Sequence, residues 1–286
     1  MKPASTKRTD SSDKANLLRK ALVTHVVRNV ACDNHEIEAA RGEKAIVALA
    51  RANIYNLLAS AYAEPPSLQV VRAIADGTLL RAFRDVGLDH VAAELDAFVP
   101  GRDAKDLLEE MEIEYTRLFV APGPDYVPPY QSMYSDELSD GSAALANDGK
   151  RLDKRQLWGD SAVAAERMYL EAGLAVTGEL REVPDHIGLE LQFLQHLCGR
   201  EAEALNTGRI LAAEESVRLQ LAFLETQLAP WIDRFCQAVG NAARHPFYRG
   251  IANLTLGFVL SDVEELRRQA SVIVDGAMGS GDVCSV

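Results

Sequence analysis

The chain has 286 residues, 48% hydrophobic and 25% charged, and these proportions are ordinary for a soluble globular protein. It lacks an uninterrupted apolar run of about 18 residues, which excludes a membrane-spanning helix. Its start lacks the apolar core of a secretory signal, and its four cysteines have no paired spacing, so we expect a cytoplasmic protein. The net charge of −12 disfavours nucleic acid as a partner and favours basic partners, although acidity for solubility alone is the simpler explanation.

The first segment, residues 1–42, is predicted to be a basic N-terminal extension. Residues 1–31 carry seven Lys or Arg against two Asp, a net charge of +5, which leaves −17 for the rest. Residues 1–12 are polar and are predicted to be disordered. Residues 14–31 can form an amphipathic helix, because apolar side chains follow one line along it. That line consists of Leu18, Leu22, Val26 and Val30.

The main segment, residues 43–274, has helical periodicity almost throughout. Apolar residues recur at steps of three and four, and the alternation typical of strands is missing. In "ANIYNLLASAY" the apolar line is Ile54, Leu57, Leu58 and Ala61. We therefore predict the all-α class, with a single globular domain of about 8–10 helices and a flexible tail at residues 275–286. Pro230 is expected to bend or break one helix and Pro246 to open the last one.

One loop differs from the helical segments. "VAPGPDYVPPYQSMY", residues 120–134, holds four of the eleven prolines and three tyrosines. Proline stiffens the backbone and removes hydrogen-bond donors, so this loop is predicted to be rigid without regular structure. It could present a binding surface, or it could be a rigid connector packed on its own core.

The stretch "EVPDHIGLE", residues 182–190, places an acid and a histidine at a predicted helix start. Pro184 and Asp185 suit a first helical turn, because proline fits there and the helix dipole favours a negative charge. A protonated histidine is disfavoured at the same place, so a helix start alone does not explain His186. Helical steps put His186 next to Glu190, at the polar end of an apolar face. A structural and a functional interpretation both stay open on this pattern.

Motifs for catalysis and cofactor binding are missing. The sequence has no dinucleotide-binding glycine motif, no complete phosphate loop, no HExxH and no GxSxG. A metal site at His186 would need a third ligand from a distant histidine, namely His90, His196 or His245. We therefore expect no cofactor, no metal and no enzymatic activity.

Several motifs follow one another between residues 45 and 265. The first is "YTRLF", residues 115–119, followed by "PPYQSMY" and then by "LWGDSAVAAERMYLEAGL". "EVPDHIGLELQFL" comes next, and "PWIDRFCQAV" and "HPFYRGIANLTLGFV" complete the series. In order and spacing this series resembles the TorD/DmsD/NarJ family of redox-enzyme maturation chaperones. Where the family often has Trp in its groove, this chain has Tyr130.

The resemblance implies a TorD-like, all-helical chaperone that is not an enzyme. Such proteins bind the twin-arginine signal peptide, or the apo form, of a molybdenum oxidoreductase and assist cofactor insertion before export or assembly. Asp185 or Glu182 would accept from an arginine of the peptide. The candidate peptide-binding residues, taken from the motifs and from the helical line of His186, are Tyr115, Leu118, Phe119, Pro128, Pro129, Tyr130, Tyr134, Trp158, Glu182, Pro184, Asp185, His186 and Glu190.

Two alternatives belong to other classes. One is a helical metal-dependent hydrolase centred on His186. The other is a nucleotide-responsive chaperone that binds GTP, as the resemblance suggests, although no phosphate loop supports it. The expected partners are the signal peptide and the catalytic subunit of a molybdopterin oxidoreductase, with no nucleic acid and no stable membrane insertion, and the chaperone is expected to be a monomer or dimer.

Overall fold

The computed structural model describes residues 36–85, 89–99, 102–134, 159–174 and 183–279. These residues form α-helices with short connections and an isolated β-bridge, but no β-strand, and this confirms the predicted all-α class. In chain order the helices are α1 (Glu36–Ala63), α2 (Leu68–Ala75), α3 (Thr78–Asp85), α4 (Asp89–Phe98), α5 (Ala104–Tyr115), α6 (Asp160–Glu171), α7 (Ile187–Asn206), α8 (Ile210–Phe223), α9 (Ala229–Ala242) and α10 (Pro246–Gly279).

The long helices α1 and α7 pack along each other and form the centre of the domain. Gly188, in the first turn of α7, allows this close approach, since a Cβ at that position would lie 2.9 Å from the Cβ of Ala63. The buried face of α1 is centred on Tyr55, Leu58 and Tyr62, all fully buried. This face is rotated by about one residue from the line predicted for α1, because both tyrosine hydroxyls have hydrogen-bond partners inside the core.

A buried ionic network joins four helices behind this core. Arg51 of α1 donates two hydrogen bonds to Asp262 of α10, at 2.6 and 2.7 Å, and one to Glu201 of α7 at 3.1 Å. Gln220 of α8 donates to the same Glu201 carboxylate at 2.9 Å. The paired charges are satisfied by one another within the described residues, so this network helps to fix how the four helices are placed.

Two π-helical turns interrupt the regular geometry. Thr116–Val120 extends α5, and Leu224–Leu228 connects α8 to α9 without a break. The second turn lies directly before α9, whose first turn contains Pro230. The chain therefore stays helical through Pro230, because the wider turn accommodates a residue that has no N–H and whose ring crowds the preceding turn.

The first and last helices of the described part are long. Helix α1 begins at Glu36, and α10 begins at Pro246 as predicted and runs to Gly279. The domain bounds of residues 43–274 stay a prediction. The amphipathic segment 14–31 lies outside the described residues. None of the helices in the described part of the chain is both long and apolar enough to cross a membrane.

Candidate functional site

The site is built around the start of α7, where His186 is the N-cap residue. Its Nδ1 accepts a hydrogen bond from the Gly188 amide at 3.0 Å. The prediction that Pro184 and Asp185 lie in the first helical turn is wrong, because they form the turn before it. Burial lowers the pKa of His186 to about 4, so the ring is neutral at pH 7 and can accept the capping hydrogen bond. A neutral cap removes the electrostatic objection to a histidine at this position.

The proline- and tyrosine-rich loop lies directly against this turn through an isolated antiparallel β-bridge between Tyr130 and His186. The Gln131 amide donates to the Asp185 carbonyl at 3.0 Å, and the Ile187 amide donates to the Pro129 carbonyl at 2.9 Å. The rings of Tyr130 and His186 meet edge to face, with centroids 5.2 Å apart. We call residues 128–134 the covering loop, because they close over the start of α7.

Asp185 is fully buried beneath the covering loop. Its Oδ2 accepts from the Ser132 amide at 2.8 Å and from the Ser161 hydroxyl at 3.1 Å. Its Oδ1 has no hydrogen-bond partner among the described residues. Burial raises the pKa of Asp185, because the hydrogen bonds it accepts do not fully replace the lost water.

Glu190 lies in the first turn of α7 and is also fully buried. Its Oε2 accepts a long hydrogen bond of 3.3 Å from Trp231 Nε1, and its Oε1 has no partner in the described part of the chain. Burial raises the pKa of Glu190 well above its usual range, and the negative charge of Asp185 raises it further. We call Asp185 and Glu190 the carboxyl pair. One oxygen of each carboxyl group accepts no hydrogen bond from a described residue, and neither group forms an ion pair with a described Lys or Arg.

The structure brings seven of the predicted site residues together at this place and separates others. Those assembled are Pro129, Tyr130, Tyr134, Pro184, Asp185, His186 and Glu190, with the partly exposed Pro128 beside them. Tyr115, Leu118 and Phe119 instead pack in the hydrophobic core. Tyr115 donates from its hydroxyl to the Tyr62 carbonyl at 3.0 Å, so it supports the end of α1. Trp158 and Glu182 lie outside the described residues.

Three residues that contact the site were not predicted individually from the sequence, namely Trp231, Tyr169 and Ser161. Trp231 donates to Glu190 and stacks on Tyr134, with ring centroids 5.4 Å apart. Tyr169 donates to the Pro184 carbonyl at 2.8 Å, and Ser161 contacts Asp185. Trp231 lies within the motif "PWIDRFCQAV", but nothing in the local pattern indicates that it contacts a residue of another helix 41 positions away.

His186 cannot offer Nδ1 to a metal ion while it caps the helix, because the lone pair of that nitrogen accepts the hydrogen bond from the Gly188 amide. Within the described ranges, no three His, Cys, Asp or Glu side chains are grouped as a metal ion would require.

Comparison with known proteins places the chain in a family. A family model described as nitrate reductase delta subunit matches residues 84–237, which is more than half of the chain. The chaperone protein TorD of Shewanella amazonensis is 27% identical over 82% of this chain and 97% of its own length. The TorD protein of Colwellia psychrerythraea is 24% identical over 76% of this chain and 92% of its own. The chain therefore belongs to the nitrate reductase delta subunit family, the TorD/DmsD/NarJ family of maturation chaperones that its motifs indicated.

Proposed function

We propose that this chain is a system-specific chaperone for a molybdenum oxidoreductase. In the cytoplasm it binds the twin-arginine signal peptide of that enzyme, or its apo form, and assists cofactor insertion before export or assembly. Family membership supports the chaperone role. The observation that carries the peptide-binding part is the carboxyl pair of Asp185 and Glu190, since each acid has one oxygen without a described partner.

A guanidinium group matches the chemistry of this pair. Arginine presents five N–H donors in a planar fork, and carboxylates accept from it in pairs. Asp185 and Glu190 each lack a donor on one oxygen and a positive charge nearby, and a twin-arginine sequence supplies both. A hydrogen bond to a charged group contributes about 1.5–3 kcal/mol. Two such bonds would supply a substantial part of the roughly 8 kcal/mol that a micromolar complex requires.

Entry of the peptide requires the covering loop to move, because both carboxyl groups are fully buried. The loop is held by the two backbone hydrogen bonds of the bridge, by the bond from Ser132 to Asp185 and by the stacking of Tyr134 on Trp231. Each such bond contributes only about 1 kcal/mol, so local opening needs far less energy than unfolding. An extended peptide can also take over the backbone hydrogen bonds that the loop makes to Asp185 and Ile187.

The charge state of His186 supports the same role. Its pKa of about 4 keeps the ring neutral at pH 7, so no positive charge beside the carboxyl pair repels an incoming arginine. Burial raises the pKa of both Asp185 and Glu190, and an arginine bound beside the pair would favour the ionised form of the carboxyl groups. Since the arginine binds the ionised form, peptide affinity is expected to rise as the pH rises through these raised pKa values.

Titration calorimetry tests the proposal with a synthetic leader peptide that has two consecutive arginines followed by about ten apolar residues. We expect a dissociation constant in the micromolar range or below, at least about tenfold weaker for Asp185→Asn. Asparagine keeps an acceptor for the Ser132 amide, so the melting temperature should change little. No detectable binding to the wild-type protein, or equal binding to both proteins, would contradict the proposal.

A further inference from the structure

A second surface feature lies at the start of the proline- and tyrosine-rich loop, residues 120–134, before the covering loop begins. An open groove of about 720 Å³ runs between the outer face of α5 and residues 121–125. Its apolar wall includes Ile113, whose residue surface is 61% exposed, together with the exposed Pro122 and Pro124. Ile113 and the two prolines therefore give apolar surface to a groove whose volume is in the range of ligand-binding sites.

The groove has a fixed shape. The Ala121 amide donates to the Thr116 carbonyl at 2.8 Å, and the Val127 amide donates to the Leu118 carbonyl at 2.7 Å. Pro122 and Pro124 add further stiffness between these two anchors. A surface that is already ordered loses little conformational entropy when a peptide binds to it.

The charges around the groove favour a cationic ligand. Asp125 is already paired, since Arg117 and Arg244 lie 2.6 and 2.7 Å from its carboxylate. Glu109 and Glu112 at the α5 rim are exposed and form no ion pair with any described residue. The unpaired charge of the groove is therefore negative, and it lies beside apolar surface.

The groove and the carboxyl pair lie within reach of one peptide. Asp125 borders the groove and Pro129 contacts the start of α7, and these residues are four positions apart. Four residues span at most about 15 Å. An extended peptide of about five residues can therefore bridge the two places.

From these observations we infer that the groove between α5 and residues 121–125 binds the apolar segment that adjoins the arginine pair of the leader. A further basic side chain of the leader lies near Glu109 and Glu112. This inference rests on the proposed function, and it adds a second contact surface, of which only Thr116 and Arg117 lie within a family motif. The leader then binds with its arginines at the carboxyl pair and its apolar residues along Ile113 and the two prolines.

The test uses the same leader peptide, with one lysine added after its apolar residues, and two charge-adding variants of exposed residues. Ile113→Glu places a charge in the groove. Leu211→Glu is the matched control, because Leu211 is 82% exposed in the first turn of α8 and does not line the groove. Ile113→Glu should weaken peptide binding about tenfold, as expected for loss of one buried aliphatic side chain, whereas Leu211→Glu should not change it.

A second pair of variants tests the rim charge. Glu112→Lys and Glu171→Lys change the net charge equally, but only Glu112 lines the groove. Glu112→Lys should weaken binding, and more so at low salt, while Glu171→Lys should not. Equal affinities within each pair, together with weaker binding by Asp185→Asn, would overturn the groove assignment and leave the proposed function standing. A wild-type protein that does not bind the leader at all would overturn both.

Discussion

Replacing Glu190 with glutamine should stabilise the protein at neutral pH. Glu190 is fully buried, accepts one long hydrogen bond from Trp231 and has no partner for Oε1 among the described residues. Glutamine keeps an acceptor for Trp231 and cannot ionise, so it removes the cost of ionising a buried carboxyl group. The wild-type residue is thus unfavourable for folding, as expected if it is kept for binding.

The ionisation state of the Glu190 carboxyl group determines how large this gain in stability is and how it depends on pH. An unsatisfied buried polar group costs about 1–3 kcal/mol, so Glu190→Gln should raise the free energy of unfolding by about that amount at pH 7. The pKa of Glu190 is raised in the folded state, so the folded protein binds this proton more tightly than the unfolded chain. Wild-type stability therefore falls as the pH rises from the unfolded pKa of about 4.3 towards the raised value, and the advantage of glutamine should shrink towards pH 5.

Urea unfolding at pH 5 and pH 7.5 measures both quantities, and α7 offers a matched control. Glu201 is also buried, but its Oε2 accepts from Arg51 at 3.1 Å and from Gln220 at 2.9 Å. Glu201→Gln should therefore destabilise the protein by about 2 kcal/mol, the opposite sign to Glu190→Gln. If both variants lose stability at pH 7.5, the Glu190 carboxylate is satisfied and the reasoning about the carboxyl pair is wrong.

Two further predictions concern stability. Arg51→Met should lower the free energy of unfolding by about 3–5 kcal/mol, because it leaves buried Asp262 unpaired, whereas Arg84→Met on the exposed surface should change it by less than about 1 kcal/mol. Denaturant titration compares them, and equal losses would contradict the structural role of Arg51. His186→Ala should cost about 1 kcal/mol through loss of the N-cap, and His186→Asn should restore most of it, since asparagine is a preferred cap. An asparagine variant no more stable than the alanine variant would show that capping is not what His186 contributes to stability.

Much of the fold could be predicted from the sequence, because helices follow local periodicity. Pro246 opens α10 as predicted, and the apolar segments became helices. The rotation of the α1 face could not be predicted, since Tyr55 is buried through a hydrogen bond to Asp262, which is 207 positions away. Continuity through Pro230 depends on a π-helical turn, for which the sequence carries no clear signal.

The candidate site was predictable in part. The motifs named Asp185 and His186, the helical line of His186 added Glu190, and all three lie at the start of α7. Their depth was not predictable, because the covering loop closes over them through backbone hydrogen bonds that do not depend on side-chain identity. The neutral state of His186 at pH 7 could not be predicted either, because it depends on the burial of the ring in the folded protein. Tyr115 and Phe119 lie in the same family motif, yet they pack in the core, because a motif records shared residues without separating binding from packing.

The most direct test of the central claim is a double-mutant cycle between the leader peptide and the carboxyl pair. The four calorimetric titrations combine wild-type protein or Asp185→Asn with the leader peptide or a version in which glutamines replace both arginines. Direct contact predicts a coupling free energy of at least about 1.5 kcal/mol, so the Asp185→Asn change should matter only for the arginine peptide. A coupling near zero, with both peptides weakened equally by Asp185→Asn, would contradict recognition of arginine at this site.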